Sequence, residues 1–152
     1  MRTLVPALVA ACVVVAGCGA AKAPPDDREW LANARDLVTQ LRSDVLNVSG
    51  FDRIGPARMG LRDESQLYGL LVAYTDLAGC THMAAALGAA PPHRLRAVRL
   101  LGRACVHLRR ADQLFTRAVA RSAPALLAAA SREALVAMPA LDAAALNLAR
   151  PA

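Results

Sequence analysis

The chain has 152 residues, a formal net charge of +6 and 56% hydrophobic residues, but only two Phe, two Tyr and one Trp. Alanine accounts for much of the hydrophobic fraction. Because β-strands favour aromatic and β-branched side chains, this composition excludes a β-rich protein and predicts an all-α fold. The charge is uneven: residues 18–93 carry a net −2, whereas residues 94–152 hold ten arginines and only three acidic residues. The excess of positive charge therefore lies in the second half of the chain.

The N-terminal segment has the features of a secretory signal. Arg2 provides a positive charge, and residues 4–17 form an apolar run that is interrupted only by Pro6. A run of this length is typical of a signal peptide and is shorter than the about 20 residues that a membrane-spanning helix needs. It ends in Val-Ala-Gly-Cys at residues 15–18, which resembles the lipobox of bacterial lipoprotein precursors, where an aliphatic residue and two small residues precede a cysteine.

This resemblance implies cleavage before Cys18 and lipidation of that cysteine, with a thioether-linked lipid and palmitate. We therefore expect a signal peptide at 1–17, a lipidated N-terminus and tether at 18–26, and a helical domain at 27–152. The mature protein is expected on the extracytoplasmic side of the cell membrane, held by its lipid anchor. An uncleaved anchor or a buried helix is the alternative for the apolar run.

The first helix is predicted to start at Asp26 or Asp27 and to run to about Val48. Its apolar residues recur at steps of three and four and so share one face: Trp30, Ala34, Leu37, Val38, Leu41, Val45 and Val48. The Ser-Gly pair at 49–50 predicts the end of this helix. Residues 49–62 are expected to form a loop that folds over the end of the bundle, or that contacts a protein partner.

A second helix is predicted from Asp63, a suitable N-cap, to Leu87, with Gly88 as its C-terminal stop. Its predicted core residues are Leu67, Leu70, Leu71, Tyr74, Leu77, Thr81 and Ala84. The opposite side carries no charge: Tyr68, Val72, Gly79, Met83 and Ala86. Since a helix that is apolar nearly all round is normally buried, helix 63–87 is expected to be central, or to be covered by a protein partner or the 49–62 loop.

The last third of the chain predicts two more long helices and a short one. Helix three spans residues 93–122, with a predicted core of Val98, Leu101, Cys105, Leu108, Phe115 and Val119. Ser122 is the predicted cap of helix four, which has Pro124 in its first turn and runs to Met138. Pro139 is expected to end it before a terminal helix at 140–149. The predicted fold is an up-down bundle of four main helices plus a short C-terminal helix.

One disulfide is predicted between Cys80 and Cys105. Helices two and three run antiparallel across a short turn, and at about 1.5 Å per residue the two cysteines differ in depth by only about 6 Å. An oxidising compartment outside the cytoplasm would allow the bond to form. Two free thiols in the core are the alternative.

The same cysteines belong to two Cys-x-His units, ending in His82 and His107, and together offer the ligand set of a zinc site. Residues two apart on a helix point about 200° apart, so the Cys and His of one unit cannot converge. We therefore expect no metal and no cofactor, and solvent-facing histidines. Recruitment of copper by His82 and Met83 is a minor alternative.

A basic line on helix three is the most suggestive pattern. Steps of three and four residues, with one longer gap, place these residues within about an 80° sector away from the core: Arg96, Arg99, Arg103, His107, Arg110, Arg117 and Arg121. Acidic residues one turn away are nearly missing, so the charge is not neutralised within the helix. An anion-binding surface for anionic lipid, an acidic wall polymer or an acidic protein is one interpretation, and a solvated face is the other. Nucleic acid is not an expected partner outside the cytoplasm.

No nucleophile elbow, phosphate-binding glycine loop or zinc-protease motif occurs, so we expect no enzyme. The leading hypothesis is a non-enzymatic envelope interaction module that contacts a protein partner through helix 63–87 or loop 49–62. A small-ligand or metal carrier is the alternative class, and an enzyme with a spatially assembled site is the third. A deep pocket between helices would favour the carrier, and a filled core with an exposed apolar patch would favour the module.

Overall fold

The computed structural model describes residues 26–54 and 64–151. They form five α-helices and a 3₁₀ turn: α1 (Asp27–Ile54), α2 (Glu64–Ala86), the 3₁₀ turn (Pro92–Arg94), α3 (Leu95–Ala120), α4 (Pro124–Val136) and α5 (Met138–Ala149). No strand occurs in this part of the chain, and the predicted all-α fold is confirmed. The lipobox with Cys18, residues 55–63, which include Asp63, and the side chain of Leu67 lie outside the described residues.

The helices pack as a ring of four rods. α1 packs on α2, α2 on α3, and α3 on α4 and α5, which return to pack on α1. Ser131 donates a hydrogen bond to the carbonyl of Val48 (3.2 Å), and Arg35 donates one to the carbonyl of Leu148 (2.8 Å). These two contacts show that α4 and α5 run antiparallel to α1. The structure is therefore the predicted up-down bundle, in which the short α5 completes the fourth rod.

Alanine fills many of the buried positions in the seam between α3 and the fourth rod, and in α3 it alternates with larger apolar residues. In α3 the steps of three and four residues bury Ala97, Leu101, Ala104, Leu108, Ala111, Phe115 and Ala118. In α4 and α5 they bury Leu127, Ala130, Ala134, Ala137, Leu141, Ala144 and Leu148. This spacing is that of a coiled coil, and its alanines let the helix axes approach closely. The break at Ala137 does not interrupt the repeat, and Pro139 lies in the first turn of α5, where its missing N–H is tolerated.

The apolar composition of the fourth rod raises the question whether this segment could span a membrane. By length and composition alone, Pro124–Ala149 could cross a membrane, with a mean hydropathy of 1.2 in its most apolar window. Its buried positions follow the repeat that faces α1 and α3, whereas Leu135, Val136 and Leu146 are exposed. On its outer side Asp142 forms an ion pair with Arg42 (2.8 Å). Packing in the bundle therefore accounts for only part of its apolar composition.

The first helix is longer than predicted. α1 continues past Val48 to Ile54, so the prediction that a loop starts at residue 49 is wrong. The Oγ of Ser49 donates to the carbonyl of Leu46 (2.9 Å), which means that this serine bonds within its own helix instead of ending it. Gly50 is accommodated in the next turn at a cost of about 1 kcal/mol.

Four predicted core positions of α2 and α3 are wrong, because they are exposed: Leu71, Thr81, Val98 and Val119. In α3 the buried positions follow the repeat of 3.5 residues, so alanines occupy places that a search for large apolar residues passes over. In α2 the buried face runs through Leu70, Tyr74, Leu77 and Cys80. α2 packs mainly on α1 and α3 and reaches α4 only at its Tyr74 hydroxyl, 3.4 Å from Oγ of Ser131, so this face is narrower than the predicted one.

The turn between α3 and α4 also corrects a prediction. Ser122 has a φ of 47°, in the left-handed region, and therefore ends α3 instead of capping α4. The N–H of Ala123 donates to the carbonyl of Ala118 (2.9 Å), the bond that closes a Schellman-type turn. The N-cap of α4 is Ala123, which makes no side-chain cap bond, and Pro124 follows in the first turn as predicted. Gly88, with a φ of 75°, follows α2 as the predicted stop.

Candidate functional site

The predicted disulfide joins α2 to α3. Cys80 and Cys105 are both buried, their Cα atoms lie 5.4 Å apart, and 25 positions separate them in the sequence. Closing a loop of this size stabilises a fold by about 3 kcal/mol in the chain-entropy model. The bond fixes the rotation of α2 against α3 at mid-bundle, and it thereby sets which faces of the two helices remain outside.

The bond also takes both sulfurs out of the set of free metal ligands. His82, two residues after Cys80, is exposed on α2. Throughout 26–54 and 64–151, no three His, Cys, Asp or Glu side chains lie close enough together to hold a metal ion. Cys80 is buried and His82 is exposed, so the two side chains of this unit point apart, as residues two apart on a helix do.

Six exposed arginines on or directly after α3 share one side of the helix, here called the arginine face: Arg96, Arg99, Arg103, Arg110, Arg117 and Arg121. The opposite side of α3 is the buried seam, so packing holds these residues outward. The face extends along about 38 Å of helix, at 1.5 Å per residue. This length far exceeds the Debye length of about 8 Å at physiological salt, so only a side-on approach brings every arginine near one surface.

None of the ion pairs in the described part of the chain involves the arginine face. The Nε of Arg117 donates to the carbonyl of Gln113 (3.1 Å), a bond within the helix that leaves its charge uncompensated. Arg96, Arg99 and Arg103 line a shallow surface depression together with Leu100. The face is thus a long cationic surface that an external anion can reach.

His107, which the sequence places among the basic residues of α3, pairs with a residue of α4 instead. The ring of His107 turns toward α4, and its Nδ1 lies 2.8 Å from Oε1 of Glu133. No spacing rule reveals this pair, because 26 residues separate its members in the sequence. In the described residues no hydroxyl or thiol makes a hydrogen bond to the ring. It joins α3 to α4 and divides the arginine face into two groups of three.

The start of α2 exposes large apolar side chains. Tyr68 is 68% exposed, Leu71 51% and Val72 44%, and we call these three residues the α2 apolar face. Leu46 of the adjoining α1 is also exposed. The face lies at the end of the bundle remote from the start of α1, close in sequence to residues 55–63.

An apolar pocket opens at the other end of the bundle, where α1 and α3 begin and α2 and α5 end. It has a volume of about 140 Å³. Its walls are contributed by all four rods: Trp30, Ala34, Val38, Ala84, Leu87, Gly88, Ala90, Leu95, Ala97, Val98, Leu101 and Leu148. The space exists because small residues face Trp30 across the bundle end. The sequence alone does not predict this pocket, because its walls come from four segments that are distant in the chain.

Two arginines hold α5 against this end of the bundle. Arg94 is only 4% exposed, and its Nη1 donates to the carbonyls of Asn147 (3.2 Å) and Arg150 (2.9 Å). Arg35 donates from both Nε (3.3 Å) and Nη2 (2.8 Å) to the carbonyl of Leu148. Cations at a helix C-terminus satisfy its free carbonyls and oppose its dipole. Charge counting alone places Arg94 with the exposed arginines, whereas the structure gives it a role in packing.

Compared with known proteins, the chain matches no protein-family model, and no curated protein or solved structure is significantly similar to it. Inferences about function therefore depend on the chemistry of the arginine face, the α2 apolar face and the pocket.

Proposed function

We propose that the protein is a non-enzymatic interaction module of the cell envelope, anchored by lipid at Cys18, whose arginine face docks on an anionic surface. The observation that carries the proposal is the row of six exposed arginines on α3 with no carboxylate paired to any of them in the described residues. The anionic headgroups of the anchoring membrane are the surface that we assign to it. Acidic wall polymers share the same chemistry.

The geometry of the tether supports side-on docking. Seven residues lie between Cys18 and Asp26, and the eight residue steps of an extended chain reach at most about 29 Å. This reach lets the bundle lie on its side beside its anchor. Each basic residue near an anionic membrane contributes about 1 kcal/mol, so six arginines in contact give strong binding, whereas an upright bundle would engage only those near Arg96.

The α2 apolar face is the second surface of the proposed module, and we assign a protein partner to it. Exposed large apolar residues that are grouped together are typical of protein contacts. Docking through α3 leaves this face free, because α2 and the fourth rod flank α3 on opposite sides. Helix 63–87 with loop 49–62 is therefore the region in which we expect protein contacts.

A small-ligand carrier is the second candidate function, and the pocket beside Trp30 is the observation that favours it. The two functions are compatible, because the pocket and the α2 apolar face lie at opposite ends of the bundle.

Two measurements test the proposal. Fractionation of Cys18→Ala should move the protein out of the membrane fraction or block its processing, and unchanged fractionation contradicts the anchor. The chain 18–152 with Cys18→Ala should bind phosphatidylglycerol vesicles but not phosphatidylcholine vesicles, and rising salt should weaken that binding. Equal binding to both vesicles contradicts the electrostatic role of α3.

A further inference from the structure

We infer that the pocket at the end of the bundle where α1 begins binds the hydrocarbon end of a single acyl chain, whose anionic headgroup lies against Arg99. This ligand class goes beyond docking on a membrane, because it places one chain inside the protein. It does not depend on the anchor at Cys18.

The walls of the pocket select hydrocarbon. Its lining residues are apolar apart from the indole N–H of Trp30, and Trp30, Ala97 and Leu148 among them are almost fully buried. An apolar cavity of about 150 Å³ in another protein stays dry and binds benzene, so a pocket of about 140 Å³ accommodates a similar volume of chain. A chain of ordinary length therefore places only its end inside.

The rim of the pocket provides the path for the rest of the chain. Leu95 is 48% exposed and Val98 37% exposed, although both line the pocket. Such partly exposed apolar side chains give a hydrocarbon a continuous apolar surface from the interior to solvent.

The charge at this rim selects an anionic headgroup. Arg99 lies one helical turn after Leu95, and residues four apart share a face of a helix. Arg99 is exposed and is not paired with a carboxylate in the described part of the chain. A carboxylate or phosphate at the exit of the pocket beside Leu95 thus meets a free guanidinium group.

The chain contains its own reporter, because Trp30 is its single tryptophan and lines the pocket. The probe is dodecanoic acid with a bromine atom on its terminal carbon, added to the chain 18–152 with Cys18→Ala, which keeps all the described helices. Bromine quenches tryptophan emission on contact, so we expect saturable quenching. The isomer with bromine beside the carboxyl group should quench much less, since that end lies at the rim.

Two variants on one helix separate binding in the pocket from adsorption. Ala84 lines the pocket, so Ala84→Leu should raise the half-saturating concentration at least about tenfold by filling it. The exposed Ala85 is the matched control, and Ala85→Leu should leave the value unchanged. Equal quenching in both variants overturns the proposal, and the comparison of the two bromine positions in the unaltered pocket decides it if Ala84→Leu does not fold.

The headgroup is tested by charge. Arg99→Gln should weaken binding of the acid about tenfold but not binding of the corresponding brominated alcohol, whereas Arg110→Gln should affect neither. Phosphatidylglycerol vesicles brominated at their chain ends distinguish the source: quenching by vesicles assigns a membrane lipid, and quenching by the free acid alone assigns a free amphiphile. Absence of quenching by both probes overturns the proposal.

Discussion

Arg94 and Arg150 are joined by a hydrogen bond of 2.9 Å from Nη1 to the carbonyl oxygen, although 56 residues separate them in the sequence. The guanidinium group that makes it is almost fully buried and also reaches Asn147. The end of α5 is thereby fixed against the start of α3, next to the apolar pocket.

Arg94→Gln should therefore lower the free energy of unfolding by about 3 kcal/mol, because it removes two charge-assisted bonds to carbonyls at the end of α5. Denaturant titration followed by circular dichroism measures this loss. The matched control is Arg96→Gln, at an exposed position of α3, which should change stability by no more than about 0.5 kcal/mol. Equal effects of the two substitutions contradict the role assigned to Arg94.

The disulfide should contribute a similar amount. Replacing both Cys80 and Cys105 by Ala should reduce the free energy of unfolding by about 3 kcal/mol, because the unfolded chain loses the constraint of a closed loop. Mass analysis without reductant should find no alkylation of either cysteine in the native protein. Ready alkylation of both would show that the thiols are free.

Ser122 and Gly88 both have a positive φ, so introducing glycine at the first position and removing it from the second should have opposite effects on stability. Ser122→Gly should stabilise the protein by about 1 kcal/mol, because glycine adopts the left-handed conformation at the end of α3 without strain. Gly88→Ala should destabilise it by a similar amount, since it places a side chain in that conformation. Thermal unfolding of the pair provides the test, and shifts of the same sign contradict the assigned turns.

Asp44 predicts a dependence of stability on pH. Burial, followed by the nearby charge of Asp76, raises the pKa of Asp44 above its ordinary value of 3.8. The folded state therefore holds this proton more tightly than the unfolded state, and the carboxyl costs stability as the pH rises through its folded pKa. Asp44→Asn should be more stable than the wild type at pH 7, with a difference that shrinks as the pH falls toward 3.8.

The exposed Asp36 on the same helix is the control for this effect. Asp36→Asn should unfold like the wild type across the same pH range. A constant difference between Asp44→Asn and the wild type at all pH values would falsify the electrostatic explanation.

The sequence predicts where the helices lie in the chain better than it predicts which of their side chains are buried. Large apolar residues at steps of three and four locate α1 and most of its core, and the depths of Cys80 and Cys105 on antiparallel helices predict their bond. Half of the seam between α3 and the fourth rod consists of alanine, and a count of large residues passes over it. The repeat through Ala97, Ala104, Ala111 and Ala118 is visible in the sequence once alanine is treated as a core residue.

The candidate site is predicted only where it lies on one helix. The arginines of α3 share a face because of their spacing, so the sequence alone locates them. The pair of His107 with Glu133 and the burial of Arg94 depend on the packing of α4 and α5, which local spacing does not contain. The pocket beside Trp30 requires all four rods at once.

Binding to anionic vesicles tests the central claim most directly. The chain 18–152 with Cys18→Ala is compared with two triple variants that lose the same charge: Arg99, Arg103 and Arg110 to Gln on the arginine face, and Arg28, Arg109 and Arg132 to Gln elsewhere. At about 1 kcal/mol per arginine, the first variant should bind phosphatidylglycerol vesicles about a hundredfold more weakly in low salt, while the second stays within about threefold of the wild type. Equal losses in the two variants, or no binding by the wild type, would show that the arginine face is only a solvated surface.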